Sequence, residues 1–169
     1  MHLDKLIAEI DRGNVAEVRK LLHEGATLSE KDRAGRGPLH HAVLAGSSEL
    51  VGLLVDAGID VNIPDARGWT ALHFAAQDYL VEIASQLIDA GAEIDARDSH
   101  GNTPLWRAIF ASKGRPNMIR VLVHSSADLD AKNDNGVSPR ILASRIANFD
   151  VNQFLQEAQF PTHLDPTPE

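Results

Sequence analysis

Histidine side chains are the first candidates for chemistry in this chain, because imidazole binds metals and transfers protons near neutral pH. The chain has eight of them. His40 and His41 are adjacent, so they cannot point to the same side of one helix, and no carboxylate recurs beside them at the spacing of metal ligands. The chain has no cysteine, which excludes a thiolate zinc site and a disulfide. We therefore predict no metal site and no cofactor.

The run Asp98-Ser99-His100 is a second candidate, because it holds the three residue types of a hydrolase triad. Three consecutive residues in a tight turn cannot form the side-chain relay that such a triad needs. The sequence also lacks a Gly-x-Ser-x-Gly nucleophile motif, a phosphate-binding glycine loop and a His-Glu-x-x-His zinc motif. We therefore predict a protein with no catalytic residues.

These residues belong to a unit that repeats along the chain. Gly25, Gly58 and Gly91 follow one another at intervals of 33 residues. Each comes after an apolar triplet at helical spacing, where a left-handed glycine commonly ends a helix. Ser126 stands at the fourth such position, which predicts a weaker cap there. A shorter apolar pattern earlier in each unit predicts a first helix, preceded by an Asp-x-x-Gly turn.

The turn and the start of the first helix carry a motif in three copies, at residues 32–42, 65–75 and 98–108. Its core reads Gly-Pro-Leu-His-His-Ala, Thr-Ala-Leu-His-Phe-Ala and Thr-Pro-Leu-Trp-Arg-Ala. A 33-residue unit with the pattern Thr-Pro-Leu-His-x-Ala resembles the ankyrin repeat. The resemblance implies an all-α solenoid of helix-turn-helix units with projecting β-turn fingers. It also implies that His40 and His73 brace the finger backbone rather than bind a ligand.

The repeat predicts a single domain over residues 1–159, with about five units including degenerate caps. The units lie at approximately residues 1–31, 32–64, 65–97, 98–132 and 133–159. The first unit lacks the finger, and its Glu9 replaces an alanine, which predicts a water-facing end surface. An apolar pattern at residues 151–155 predicts a second helix in the last unit, and the proline-rich residues 160–169 are predicted to be disordered.

One unit is longer than the others. The interval from Gly101 to Gly136 is 35 residues, two more than the repeat. The extra length falls in residues 111–116, between the two helices, and this segment includes Lys113 and Arg115. The segment is either an insertion that the surface tolerates or an added contact at one end of the binding surface.

The resemblance also implies where a partner binds, because similar proteins use their fingertips and the residues that follow the first-helix alanine pair. Carried onto this sequence, the implied partner-binding residues are Arg33, Arg36, Leu44, Arg67, Trp69, Gln77, Asp78, His100, Asn102 and Phe110. Trp69 follows Gly68 at a position that the pattern directs toward solvent, and tryptophan with arginine is common in interface hot spots. The alternative is that Trp69 packs over the adjacent finger.

Composition restricts the classes of partner and the cellular compartments that we expect for this chain. The formal net charge of −8 argues against a nucleic-acid binder. No apolar stretch reaches membrane-spanning length and no signal-peptide core is present, so we expect a cytoplasmic protein with no membrane contact. Basic residues concentrate in the finger and first-helix segments, which predicts a basic concave strip and favours an acidic partner surface.

These features predict a non-catalytic protein-binding module that is monomeric when free. The small, cysteine-free chain is more typical of bacteria than of animals. Small bacterial proteins of the ankyrin family include immunity proteins, so the most specific hypothesis is an inhibitor that neutralises a toxin. The alternative is a stabilising or regulatory subunit of a larger enzyme, or a host-directed effector.

Overall fold

The computed structural model describes the backbone of residues 2–146 and the side-chain surroundings of residues 5–146. The predicted second helix of the last unit and the predicted tail at 160–169 lie outside this range. Within it the chain is helical, with no strand. The helices are α1 His2–Asp11, α2 Val15–His23, α3 Pro38–Leu44, α4 Ser48–Asp56, α5 Ala71–Asp78, α6 Val81–Asp89, α7 Pro104–Phe110, α8 Asn117–His124 and α9 Pro139–Arg145.

The helices form two layers. The first helices of successive units, α1, α3, α5, α7 and α9, each contact the next, and the second helices α2, α4, α6 and α8 do the same. Leu54, Leu72, Leu87, Leu105 and Leu122 are fully buried within the stack. No unit could bury this much apolar surface alone, so neighbouring units stabilise one another. The predicted all-α solenoid is confirmed.

Left-handed residues end the second helices as the sequence predicts. Gly25, Gly58 and Gly91 have φ values of 83°, 81° and 88°. Ser126 adopts the same conformation with φ of 69°, although its Cβ makes left-handed backbone unfavourable by about 1 kcal/mol. The cap geometry therefore persists where the glycine is lost.

The Asp-x-x-Gly turns form fingers that are linked to one another. In the first finger, Oδ1 of Asp32 accepts hydrogen bonds from the backbone N–H groups of Ala34 and Arg36. The Ala66 N–H of the second finger then donates to the Ala34 carbonyl at 3.0 Å. A Cβ at Gly35 would lie 2.6 Å from the Ala66 nitrogen, so this contact requires glycine. The same bond recurs at the next two fingers, from Ser99 to Arg67 and from Asp134 to His100.

The end surface of the first unit differs from the prediction. The Glu9 side chain is 12% exposed rather than open to water. The side chains of Arg12 and Asn14 donate hydrogen bonds to its two carboxylate oxygens and cover it. Glu9 therefore closes the turn between α1 and α2.

Candidate functional site

Exposed and half-buried side chains at the C-terminal ends of α3, α5 and α7 form a surface that we call the inner face. It consists of Leu44, Gln77, Asp78 and Phe110. Leu44 is 42% exposed and Phe110 is 60% exposed, and these are the exposed large hydrophobic residues among those described. Both occupy the same position in their units. The Phe110 ring stacks on that of Trp106, with centroids 5.4 Å apart.

The longer unit adds a wall to the inner face. Three predicted binding residues and three residues of the insertion line a groove of about 430 Å³, which we call the loop groove: Gln77, Asp78, Phe110, Ala111, Lys113 and Arg115. Lys113 has a left-handed backbone with φ of 47°. The structure thus brings the basic insertion next to an exposed aromatic ring.

Tyr79 holds this insertion in place, a role that the sequence analysis did not identify. Its φ of 60° is left-handed, at the position where glycine ends the first helix in other units. Its hydroxyl lies 3.0 Å from the carbonyl oxygen of Ala108 and 2.8 Å from that of Arg115. The Arg115 guanidinium carbon lies 4.0 Å from the ring centroid. Burial, partly offset by the charge of Arg115, raises the pKa of Tyr79 to about 12.

Trp69 does not point to solvent, and the prediction that it does is wrong. The residue is only 9% exposed. Its ring centroid lies 4.9 Å from that of Phe74, and the guanidinium carbons of Arg67 and Arg107 lie 4.6 Å and 4.5 Å from it. Arg107 belongs to the next unit, so the ring is covered by side chains from both sides of a unit boundary. The packing alternative describes Trp69, while a contact with a partner stays a prediction.

Asn102 is likewise buried, with 5% of its surface exposed. Its amide group donates to the Asp98 carboxylate, and its Oδ1 accepts from Nδ2 of Asn133 at 2.8 Å. This side chain links the third finger to the fourth. It was predicted as an open fingertip residue, but polar groups of its own finger and of the neighbouring finger take up its hydrogen bonds.

Most arginines of the predicted basic strip are paired with finger carboxylates. Nη2 of Arg36 lies 3.0 Å from Asp32, and Nε of Arg67 lies 3.4 Å from Asp65. Arg107 forms an ion pair with Asp98 in the same way. The remaining basic residues of the strip, for which no acidic partner occurs among residues 5–146, are Arg33, Lys113 and Arg115. The free positive charge is therefore smaller than the sequence predicts and is concentrated at one fingertip and the loop groove.

Hydrogen bonds within the first finger lower the pKa of the Asp32 carboxylate. Burial by itself opposes ionisation of this group. The backbone N–H groups of Arg36 and Ala34 and the Arg36 guanidinium outweigh burial, so the pKa of Asp32 falls to about 2.

His40 and His73 brace the fingers, as the resemblance implies. Nδ1 of His40 accepts from the Gly37 N–H at 3.1 Å, and its Nε2 donates to the Trp69 carbonyl at 3.1 Å. His73 connects Thr70 with the Asn102 carbonyl by the same pattern. Burial lowers the pKa of both imidazoles, which suits the neutral form that this bonding requires.

His41, which the sequence analysis left without a role, connects the first unit to the first finger. Its Nδ1 lies 3.1 Å from Asp11, at the end of α1, and its Nε2 lies 3.2 Å from Asp32. The adjacent His40 and His41 rings thus have separate structural contacts, and they do not converge on a common ligand.

The Asp98-Ser99-His100 run has no triad geometry. Ser99 Oγ lies 3.2 Å from Nδ1 of His100, but the Asp98 oxygens accept the backbone N–H groups of His100 and Asn102 and bind Arg107. His100 is an exposed fingertip residue. No group of three or more metal-ligating side chains occurs in the part of the chain that the structure describes. Among the helices of that part, none is long and apolar enough to cross a membrane.

Comparison with known proteins agrees with this geometry. A family model of ankyrin repeats, in three copies, matches residues 39–133, which is more than half of the chain. A protein of Rickettsia bellii (strain RML369-C), named as an ankyrin repeat protein, is 43% identical to the chain over 61 residues. The match covers 34% of this chain and 34% of that relative, so only about a third of either length is compared. Since the family model, the repeated sequence and the stacked helix pairs agree, the chain belongs to the ankyrin repeat family.

Proposed function

We propose that the chain binds a partner protein through its inner face and fingertips, without catalysis. Ankyrin repeats indicate a protein–protein interaction module. The observation that supports this location is the exposure of Leu44 and Phe110 at the same position of two units. Large apolar side chains that recur on one surface gain free energy when a partner removes them from water.

Four further predicted residues agree with this surface. Arg33, Arg67, Asp78 and His100 are exposed, on fingertips or beside the groove. Trp69 and Asn102 would then act indirectly, because they position Arg67 and the third finger rather than touch the partner. Interfaces of this kind commonly depend on a few anchors surrounded by weaker polar contacts.

The more specific proposal is an inhibitor, such as an immunity protein that neutralises a toxin, acting in the cytoplasm. Its support is the combination of a binding surface with the absence of catalytic motifs in the sequence. Co-production with a toxin encoded by a neighbouring gene tests it. Rescue of growth by the wild-type chain but not by Phe110→Ala is expected, and equal rescue by both would contradict it.

The general proposal is tested by capturing partners from the cells that produce this protein and identifying them by mass spectrometry. Purified partner is then titrated into wild type, Leu44→Ala, Phe110→Ala and a control by calorimetry. We expect each inner-face variant to weaken binding by about 2 kcal/mol, as loss of an interface anchor does.

Glu49→Gln is the matched control, because Glu49 is exposed on α4 in the second-helix layer. Glu82 is less suitable, since Ser48 Oγ donates to its carboxylate at 2.7 Å and couples it to the packing of α4 on α6. A loss at Glu49 equal to or larger than that at Phe110 would place the interface on the second-helix layer and overturn the proposal.

A further inference from the structure

We propose that the loop groove binds an acidic segment of the partner, with an apolar side chain against Phe110 and carboxylates near Lys113 and Arg115. This inference rests on the proposed function and names the chemistry of the partner at one part of the surface. It is carried by a combination of features that the other described units of this chain lack: an insertion, an anchored tyrosine and two cations without an acidic partner that line one groove.

The loop groove is already formed in the free chain. Tyr79 occupies a left-handed position where a glycine would be free of strain. In return its ring lies under the Arg115 guanidinium, and its hydroxyl binds the carbonyl groups that flank the insertion. Strained backbone that is held by surrounding contacts is typical of binding sites. Here those contacts order the insertion in advance, so a partner does not have to order it on binding.

The two cations of the loop groove, Lys113 and Arg115, are available to a ligand. The Lys113 ammonium has no hydrogen-bond or ion-pair partner among residues 5–146. Nε of Arg115 donates to the Ser112 carbonyl at 3.3 Å, which leaves its terminal nitrogens open. Arg36, Arg67 and Arg107, by contrast, are held by finger aspartates. Arg33 on the first fingertip also has no acidic partner among residues 5–146, but it lies outside the lining of the loop groove. The loop groove is therefore where a carboxylate can gain a hydrogen-bonded cation without displacing an acid already in place.

The formal net charge of −8 does not cancel this preference. Salt at 0.1 M screens charges beyond about 10 Å, so a ligand in the groove responds mainly to its immediate neighbours. Asp78 is the acidic residue that lines the groove, and it opposes an acidic ligand. Removing the Asp78 charge should therefore strengthen binding of an acidic ligand, whereas removing the Lys113 charge should weaken it.

The Phe110 ring offers the groove an apolar contact. Phe110 projects into the groove while its ring stacks on Trp106, with an angle of 14° between the planes. The ring is therefore held in one orientation although it is exposed. When an apolar side chain of the ligand covers the ring, the ring loses little conformational freedom. This favours a ligand with one aliphatic or aromatic residue among its acidic residues.

A single-stranded nucleic acid also combines negative charge with flat apolar groups. It is the less favoured ligand, because phosphate binding needs a longer track of cations than Lys113 and Arg115 provide on an acidic protein. It is kept as an outcome of the test.

The experiment uses the full chain, immobilised, to select from a phage-displayed library of random peptides. The most enriched peptide is then synthesised with a fluorescein label and titrated with wild type and variants by fluorescence anisotropy at low and high salt. We expect acidic peptides with one apolar residue. Phe110→Ala should weaken binding about tenfold and Lys113→Gln about threefold, whereas Asp78→Asn should strengthen it about threefold.

Arg19→Gln is the matched control, because Arg19 is an exposed cation on α2, in the second-helix layer and remote in the repeat order from the loop groove. Its affinity for the peptide should equal that of wild type. Circular dichroism confirms that each variant is folded. Tyr79→Phe should weaken binding and make it slower, because the loop must then be ordered when the peptide binds.

Several results would overturn the inference: no enriched peptide, enriched peptides without acids, equal effects of Lys113→Gln and Arg19→Gln, or tighter binding of a labelled oligothymidylate than of the peptide. The proposed function has a separate test. If the natural partner depends on Phe110 but selected peptides are not acidic, this inference fails and the proposed function stands. If the partner depends on Glu49 instead, the proposed function fails whatever the peptides show.

Discussion

Two clusters of aromatic and basic side chains, one at the fingers and one at the loop groove, have similar composition. They differ in whether their side chains are free to contact a partner. At the fingers, Trp69 is covered by Arg67 and Arg107, and each arginine is bound to an aspartate. At the loop groove, Phe110 is exposed and Lys113 has no partner among the described residues.

The difference comes from the neighbouring acids. In the first three fingers an aspartate binds the finger's own backbone N–H groups, and the second oxygen of that carboxylate binds a nearby arginine. The insertion contains no acid, so its cations stay free. Aromatic and basic residues therefore mark a binding surface only where the fold has not already used them.

Trp69→Ala is expected to have the largest effect on stability. Truncating a buried aromatic residue leaves a cavity and removes two cation–π contacts, so the free energy of unfolding should fall by about 3 kcal/mol. Urea unfolding followed by circular dichroism measures this. A change within about 0.5 kcal/mol would mean that the tryptophan is a free surface residue and that the two clusters are alike.

The finger aspartates should make stability depend on acid. Asp32 has its pKa lowered to about 2 from 3.8, so its contribution is present above the unfolded value and is lost as pH falls toward the folded value. After allowance for solvent screening this contribution is about 1 kcal/mol. Unfolding free energies measured between pH 5 and pH 2.5 should therefore fall more steeply for wild type than for Asp32→Asn.

The fourth finger supplies a natural precedent for that variant. Asn133 occupies the aspartate position there, and its Oδ1 accepts the backbone N–H groups of Asn135 and Val137. Asp32→Asn should therefore keep the hydrogen bonds to the finger backbone and lose the charge, together with the contacts of Oδ2 with Arg36 and His41. Parallel pH profiles for the two proteins would show that the Asp32 charge does not stabilise the finger.

At the loop groove, Tyr79→Phe should destabilise the chain by about 1 kcal/mol, the typical loss for one hydrogen bond. The effect should be local. Hydrogen exchange is expected to become faster at residues 111–116 and to stay unchanged at the fingers. Unchanged exchange in the insertion would show that Tyr79 does not hold it, which would contradict a loop groove that is already formed in the free chain.

The same residue can be followed directly, because the chain contains a single tyrosine. Tyrosinate absorbance should titrate near pH 12 in the folded protein, against an ordinary value of 10.0. Since the folded pKa is raised, the stability that the neutral phenol provides is complete below pH 10 and is lost as pH rises toward 12. A midpoint near 10 in protein that is still folded by circular dichroism would contradict the burial of this hydroxyl.

The sequence was sufficient for the features that recur within one unit. Helix positions, left-handed caps and the bracing roles of His40 and His73 follow from local spacing and from the family pattern. The exposed positions of Leu44 and Phe110 were predicted in the same way, since the pattern places them after the alanine pair of each first helix.

Contacts between units that the family pattern does not imply were missed. Trp69 was predicted as exposed because its position within one unit faces outward, but Arg107, which covers it, lies in the next unit. Tyr79 was not identified, although its hydroxyl binds residues 29 and 36 positions further along the chain. The available signal was an aromatic residue at a glycine position in the unit directly before the insertion.

Phe110→Ala is expected to have the smallest effect on stability, and it completes the comparison. A ring that is 60% exposed contributes little to the folded state, so the free energy of unfolding should change by no more than about 0.5 kcal/mol. Urea unfolding beside Trp69→Ala provides the measurement, and Trp106 fluorescence in the Trp69→Ala background reports whether the stacked partner stays in place. A small loss of stability together with a large loss of partner affinity is the result that separates a binding residue from a packing residue. A loss near that of Trp69→Ala would instead show that the Phe110–Trp106 stack is part of the core, because the two aromatic clusters would then both stabilise the fold.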